Sequence, residues 1–258
     1  MISTKNKNQN YNPIKDYMTT SIFNGNCLEL MKTLPDKSID LFICDLPYCE
    51  TNCKWDKVIN LDEFWAEFRR LRKSKRVACI HFCSTKFGYT LIKSWESGFK
   101  MDMVWRKRNK TGGLHSKYRP MRNHEMVYFF YDQTPKYNRD KYHKRIKNTP
   151  KFENNDNSVY GANKKDNTQG TNNFEPPNPA SVFDSQKVFI GKRHHHTEKP
   201  LDMLEYFLKY WSDEGDTILD PTMGSGSTGV ACKTLGRNFI GYELDPQIFE
   251  VAKKRLHI

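Results

Sequence analysis

Along the chain, short apolar runs alternate with stretches whose apolar residues return every three or four positions. The runs Ser21–Asn24, Ile39–Cys44, Arg76–Cys83, Met101–Trp105, Glu125–Tyr131, Thr217–Asp220 and Asn238–Glu243 predict seven β-strands. Leu61, Phe64, Trp65, Phe68 and Leu71 fall on one helical face, as do Leu201, Leu204, Phe207, Leu208 and Trp211. Each stripe predicts a helix packed on a sheet rather than a ligand site. The alternation predicts one α/β sheet with helices on both faces, not a bundle or a sandwich. One stretch breaks the pattern: Asn148–Asn178 holds nine Asn in 31 residues, with only Phe152, Val159, Tyr160, Ala162 and Phe174 as apolar content. It cannot build a core element and reads as a mobile insert.

Composition leaves this picture standing. With 258 residues, 37% of them hydrophobic, the chain can bury one large core. No run approaches the ~18 apolar residues of a membrane-spanning helix, and Met1–Asp16 is polar, without the apolar stretch of a secretion signal. A reducing cytoplasm is the expected setting. The seven cysteines, an odd number, argue against a disulfide framework. Cys49-x3-Cys53 with Cys79-x-His81-x-Cys83 leaves zinc as an alternative, but Cys79 and Cys83 sit in an apolar run that reads as a buried strand, so no metal is expected.

Charge adds more. The net charge is +12, and Arg106–Lys151 alone carries fourteen Lys and Arg against three acids, +11, which leaves the rest of the chain close to neutral. A local excess of this size suits a phosphate backbone. Tyr118, Tyr128, Tyr137, Tyr142 and His143 interleave with the cations and favour nucleic acid over an anionic membrane.

The strongest local chemistry is Asp220-Pro221-Thr222-Met223-Gly224-Ser225-Gly226-Ser227-Thr228-Gly229, a glycine turn between the apolar run Thr217–Leu219 and a helix-like segment that reaches Leu235. The glycines let backbone approach a ligand, and Glu243, 23 residues after Asp220 at the end of the next strand, is placed to accept bonds from ribose hydroxyls. The pattern indicates an adenosine-containing cofactor. NAD is the first rival, but only fifteen residues follow Glu243, too few for a second nucleotide-binding half. The remaining strands lie upstream, as in a circularly permuted sheet whose catalytic half precedes its cofactor half.

Asp45-Leu46-Pro47-Tyr48 follows the strand Ile39–Cys44, a ligand-facing position in such a sheet. With Lys54-Trp55-Asp56, His195-His196-Thr197-Glu198-Lys199-Pro200 and the glycine turn, it resembles the permuted (beta) class of amino-methylating DNA methyltransferases, adenine-specific type, over roughly Ile22 to Leu256. The resemblance implies a Rossmann-like fold, S-adenosylmethionine as cofactor and double-stranded DNA as partner. It implies that Asp45, Leu46, Pro47 and Tyr48 act on an exocyclic amine after base flipping, and that Asn26, Asp45, Thr197, Lys199, Pro200, Asp220, Pro221, Thr222, Gly224, Ser225, Gly226, Ser227, Thr228 and Glu243 serve the cofactor. Three positions depart from the family pattern: Leu46 replaces a Pro, Asn26 an Asp and His196 a Pro.

The same resemblance divides the chain into a tail (1–18), a catalytic half (19–131), a DNA-recognition insert (132–193) and a cofactor half (194–258). Arg106, Lys107, Arg108, Lys110, His115, Lys117, Arg119, Arg122, Lys141, Lys144 and Arg145 are the candidate DNA contacts, with the turn Lys110–His115 expected beside the flipped base. A cognate restriction endonuclease and a homodimer are the further partners it allows, in a bacterial, phage or viral setting. The alternative activities are methylation of the cytosine amino group or of RNA, and, beyond these, a non-catalytic binder or another nucleotide enzyme.

Overall fold

The computed structural model of the chain describes residues 20–48, 59–145, 174–185 and 198–258. The first half contains β1 (Thr20–Asn24), α1 (Cys27–Lys32), β2 (Leu41–Cys44), α2 (Leu61–Leu71), β3 (Cys79–Cys83), α3 (Thr85–Ser94), β4 (Phe99–Thr111) and β5 (Arg122–Phe130). There follow α4 (Arg139–Tyr142), β6 (Lys144–Arg145), β7 (Phe174–Glu175), β8 (Val182–Ser185), α5 (Leu201–Trp211), β9 (Thr217–Asp220), α6 (Ser227–Thr234), β10 (Asn238–Glu243) and α7 (Pro246–Leu256).

The main sheet has the order β1-β10-β9-β2-β3-β5-β4-β8. The first five strands are parallel, β5 is antiparallel to both neighbours, and β8 is parallel to β4. All seven expected strands are present, and β8 adds an eighth at the edge from within the stretch expected to be DNA insert. Two strands are longer than their apolar runs: β4 continues to Thr111 and β5 begins at Arg122. Hairpin pairing extends them where hydropathy gives no signal.

Period-two alternation sends side chains from one strand into two cores. Phe42 and Cys44 face the side of α1 and α2, where Phe64, Trp65, Phe68 and Leu71 are buried. Leu41 and Ile43 face the side of α5, α6 and α7, with Leu204, Phe207, Leu208 and Trp211. Both helical stripes therefore pack on the sheet as the spacing predicts. Local chemistry sets where α2 begins: Asn60 Oδ1 accepts the backbone N–H of Asp62 at 3.1 Å, Asp62 and Glu63 fill the first turn, and Arg69 and Arg70 the last. Trp65→Ala would remove the largest side chain of this face, at a cost of about 3–5 kcal/mol.

Cys44, Cys79 and His81 come together in the first core, with Cys44 Sγ 3.7 Å from Cys79 Sγ, under the rings of Phe64, Trp65 and Phe130. Cys49 and Cys53 lie outside the described residues. Among the described residues no helix is long and apolar enough to cross a membrane.

Candidate active site

Four strand ends converge where the two halves of the sheet diverge, between β2 and β9. β2 leads into Asp45–Tyr48, β9 into the glycine turn, β10 ends at Glu243, and β1 is followed by Gly25 and Asn26. With Ile59, Phe82, Trp105, Glu125 and Lys199 they line a cavity of about 370 Å³. A crevice at the carboxyl ends of strands, at a topological switch point, is where α/β sheets bind ligands.

At the ends of β9 and β10, two buried carboxylates brace the glycine turn. Asp220 accepts the Thr222 N–H at 3.1 Å and the Thr228 hydroxyl at 2.6 Å. Burial pushes its carboxyl up to about 7 against those bonds. Glu243 accepts the N–H of Gly224 at 3.0 Å and of Asp245 at 2.8 Å, and burial raises it as well. Each carboxylate oxygen keeps a lone pair for a ligand.

The three glycines divide their work. Gly224 has φ +55° and a Cβ there would meet nothing within 4 Å among the described residues, whereas a Cβ on Gly226 would meet Leu256 at 3.1 Å and one on Gly229 would meet Phe239 at 2.7 Å. Gly224 lines the cavity, and the other two let α6 pack on α7 and β10, so the expected cavity role of Gly226 is corrected to packing. Arg255 of α7 locks the turn from behind. Its guanidinium donates to Ser225 Oγ at 3.0 Å and Ser227 Oγ at 2.9 Å and pairs with buried Glu198 at 2.5 Å.

Asn26 lines the cavity and also caps a helix. Its Oδ1 caps α1 by accepting the Leu28 N–H at 2.9 Å, which leaves its amide hydrogens and one oxygen lone pair for the cavity. Pro200 is the residue before the first turn of α5 rather than a cavity-lining one, and Thr197 lies outside the described residues, as do His195 and His196.

Past the end of β2, Tyr48 donates its hydroxyl to Asp45 Oδ1 at 2.7 Å, and Lys199 donates to Asp45 Oδ2. Burial, reinforced by the Asp45 and Glu125 carboxylates, holds the Tyr48 hydroxyl well above the usual tyrosine range, so it stays a donor. Burial works against the Lys199 charge, but Asp45 and Glu125 outweigh it and hold the ammonium above the usual lysine range. Leu46 is 1% exposed and anchors its loop in the first core, where the family's Pro would restrain φ instead. Phe87 backs one face of the Tyr48 ring at 5.1 Å.

Charge and strand alternation split the candidate DNA residues. Lys107 points inward, 6% exposed, paired with Glu125 and 4.5 Å over the Trp105 ring, so its assignment to DNA is corrected. Arg106 points outward but pairs with Asp184 of β8. Arg108, Lys110, His115, Lys117, Arg119 and Arg122 are exposed on the β4–β5 hairpin, whose tip also exposes Leu114 (95%) and Tyr118 (87%). β4 runs parallel to β3, so the tip lies on the cavity side of the sheet.

Lys141 is on the other side. It is 3.7 Å from Asp213, just past the end of α5, while the start of α5 adjoins Lys199 in the cavity. Eleven helical residues, about 16 Å, separate the two ends. Lys144 and Arg145 follow His143, which bonds Tyr210 near the same far end. These three therefore lie remote from the cavity, at the far end of α5. Trp105, Glu125 and Phe82 line the cavity but were not among the expected site residues; strand alternation past Trp105 is the signal that could have shown Lys107 turning inward.

This geometry is that of an amino-methylating DNA methyltransferase, and the comparisons agree. The family model for N6/N4 methyltransferases, described as DNA methylase, matches residues 39–254, and the chain belongs to that family. It is similar to the Type II methyltransferase M2.MboI of Moraxella bovis, 28% identical over 92% of this chain and 87% of the relative. M.HinfI of Haemophilus influenzae, another Type II methyltransferase, is 26% identical over 94% of this chain and 69% of the relative. Among solved structures, the M1.HpyAVI complex with S-adenosylmethionine (SAM) matches with a TM-score of 0.63 at 26% identity, covering 93% of this chain and 100% of that one. The cytosine-N4-specific PvuII methyltransferase shares the fold, with a TM-score of 0.63 at 14% identity over 93% of each chain.

Proposed function

We propose that the chain transfers a methyl group from S-adenosylmethionine to the N6 amine of adenine at a specific sequence in double-stranded DNA, after the base is flipped out of the duplex. The observation that carries this reading is the sharing of one cavity by Asp45–Tyr48 and the braced glycine turn.

The residues present fit the cofactor. Among the described residues Thr222 Oγ1 is buried without a hydrogen-bond partner against the cavity, the space over Gly224 is open, and Asp220 and Glu243 have acceptor capacity to spare. Asn26, Asp45, Lys199, Asp220, Pro221, Thr222, Gly224, Ser225, Ser227, Thr228 and Glu243 would hold it. When bound, S-adenosylmethionine supplies a methyl group on a positively charged sulfur, already activated for transfer.

The protein's task is alignment and charge placement. An adenine amine is a poor nucleophile because its lone pair is delocalised into the ring. Asp45 Oδ1 and the Leu46 carbonyl accept its two hydrogens, which turns the lone pair outward as the new bond forms. That stabilisation belongs mainly to the transition state. Lys199 occupies Oδ2 and leaves Oδ1 to the amine, which shares it with the Tyr48 hydroxyl or displaces it. The Tyr48 ring stacks on the extruded base. Asp at the head of the motif favours adenine, since Ser is commoner in the cytosine-modifying relatives. The β4–β5 hairpin presents its cations to phosphates, with the Lys110–His115 turn beside the flipped base. Because the relatives are Type II methyltransferases, a cognate restriction endonuclease is the expected companion.

Methylation-sensitive sequencing of DNA from a host expressing the wild type or Asp45→Ala tests this. N6-methyladenine at one motif, absent with Asp45→Ala, is the expected result. N4-methylcytosine would overturn the choice of base, and no mark at all would overturn the reaction.

A further inference from the structure

Behind Asp45 lies a row of four charges of alternating sign: Lys107, Glu125, Lys199 and Asp45. Lys107 pairs with Glu125 Oε1, Lys199 Nζ lies 3.8 Å from Glu125 Oε2, and Lys199 pairs with Asp45 Oδ2. The Lys107 and Lys199 side chains are only 7% and 11% exposed. The two-acceptor chemistry uses Asp45 and needs neither Glu125 nor Lys107. A buried ion pair is no better for stability than a well-packed apolar pair, so its presence calls for another role.

The four residues have different supports. Glu125 sits on β5 directly opposite Trp105 of β4, and Lys107 stands two residues further along β4 on the same face. Asp45 and Lys199 stand on connecting segments, after β2 and before α5. Lys199 carries its charge on a flexible four-carbon stem, steadied by the Phe82 ring at 5.1 Å. Glu125 thus ties the loop-borne cation to the sheet. With Glu125 in place Lys199 is held between two carboxylates; without it, attraction to Asp45 is unopposed and the ammonium can slide across both oxygens, including the one the amine needs.

We propose that Glu125, anchored by Lys107, is a positioning residue that sets Lys199 on one oxygen of Asp45 and so keeps the other for the target amine. This rests on Asp45 acting on that amine. A wild-type protein that marks no DNA amine would remove the premise, whereas the test below compares variants of an active enzyme.

The test is a double-mutant cycle of Glu125→Gln with Lys199→Met, read as single-turnover methyl transfer alongside binding of S-adenosylhomocysteine. Glu125→Gln alone is expected to slow transfer about 10²-fold, the scale of a small misplacement of reacting groups, with product binding and the KM for DNA within about threefold. In the Lys199→Met background the same change should cost less than about threefold, because the group it acts through is gone. Losses that multiply would mean that Glu125 meets the base directly, and a rate for Glu125→Gln within about twofold of wild type would remove it from the reaction; either result overturns the proposal. Should Glu125→Gln fail to fold with Lys107 left unpaired, Glu125→Gln/Lys107→Met removes both charges and takes its place in the same cycle. Recovery of the wild-type rate in that neutral variant would reduce the row to a structural role.

Discussion

Arg106–Arg122 and Lys136–Arg145 carry one signature in sequence, Lys and Arg interleaved with Tyr, and the fold puts them in opposite places. The first is the β4–β5 hairpin, delivered by strand direction to the carboxyl ends of the parallel strands, where the cavity opens. The second packs on the far end of α5, where Asn138 Nδ2 donates to the Ser212 carbonyl at 2.9 Å and Lys136 pairs with Asp213. Charge density therefore marks a partner's chemistry but not the face that meets it. Even within the hairpin, alternation separates neighbours: Arg106 and Arg108 face out, while Lys107 between them joins the row behind Asp45.

The largest expected effect comes from neutralising the tip. Lys110, Lys117, Arg119 and Arg122 changed to Ala together should lower the log–log salt slope of duplex binding by about 3 to 4, at ~0.9 per phosphate contact. Affinity near 0.1 M salt should fall by about 10²-fold or more, with S-adenosylhomocysteine binding unchanged. Fluorescence anisotropy over a salt series reads both quantities, and an unchanged slope would move DNA off the hairpin. Next in size is the apolar tip. Leu114→Gly with Tyr118→Ala should keep the slope yet slow single-turnover transfer by about tenfold, with weaker emission from 2-aminopurine at the target position. Normal emission would leave the tip without a part in flipping.

The far-end set should respond least to salt. Lys141, Lys144 and Arg145 changed to Ala together are expected to alter the slope by less than about one unit and the melting temperature by only about 3 °C. A slope change equal to that of the tip set would erase the distinction between the two regions. A pH series read as the difference between wild type and Asp220→Asn then isolates one cavity group, because Lys and Arg keep their charges between pH 4 and 8 and the remaining groups titrate in both proteins. Folded Asp220 holds its proton to about 7 against an ordinary 3.8. Between those values the folded state binds the additional proton, so this group's contribution to stability is complete below about 4 and is lost as pH rises through 7. Asp220→Asn should flatten that part of the wild-type curve in thermal melts of the ligand-free protein. An unaltered curve would place the titrating group elsewhere.

Much of this molecule was legible in its residues. Hydrophobic period alone set the seven strands, the two helical stripes and the two-sided core, because burial on a sheet imposes periods of 2 and 3.6 that survive in any sequence doing it. The order Asp45–Tyr48 before Asp220–Gly229 is the permuted arrangement that the resemblance implies, and both segments were legible before the fold brought them to one cavity. Tertiary structure alone decided the rest. Lys107 and Lys141 look alike in a list of cations, and only strand alternation and helix length send one behind Asp45 and the other to the far end of α5. Gly224 and Gly226 look alike in a motif, and only the approach of α7 turns one toward the cavity and the other into a packing contact. Glu125 meets Lys199 across 74 residues of sequence. Local pattern records what a residue must do for its own element, whereas which distant charge it meets is set by the closing of the sheet.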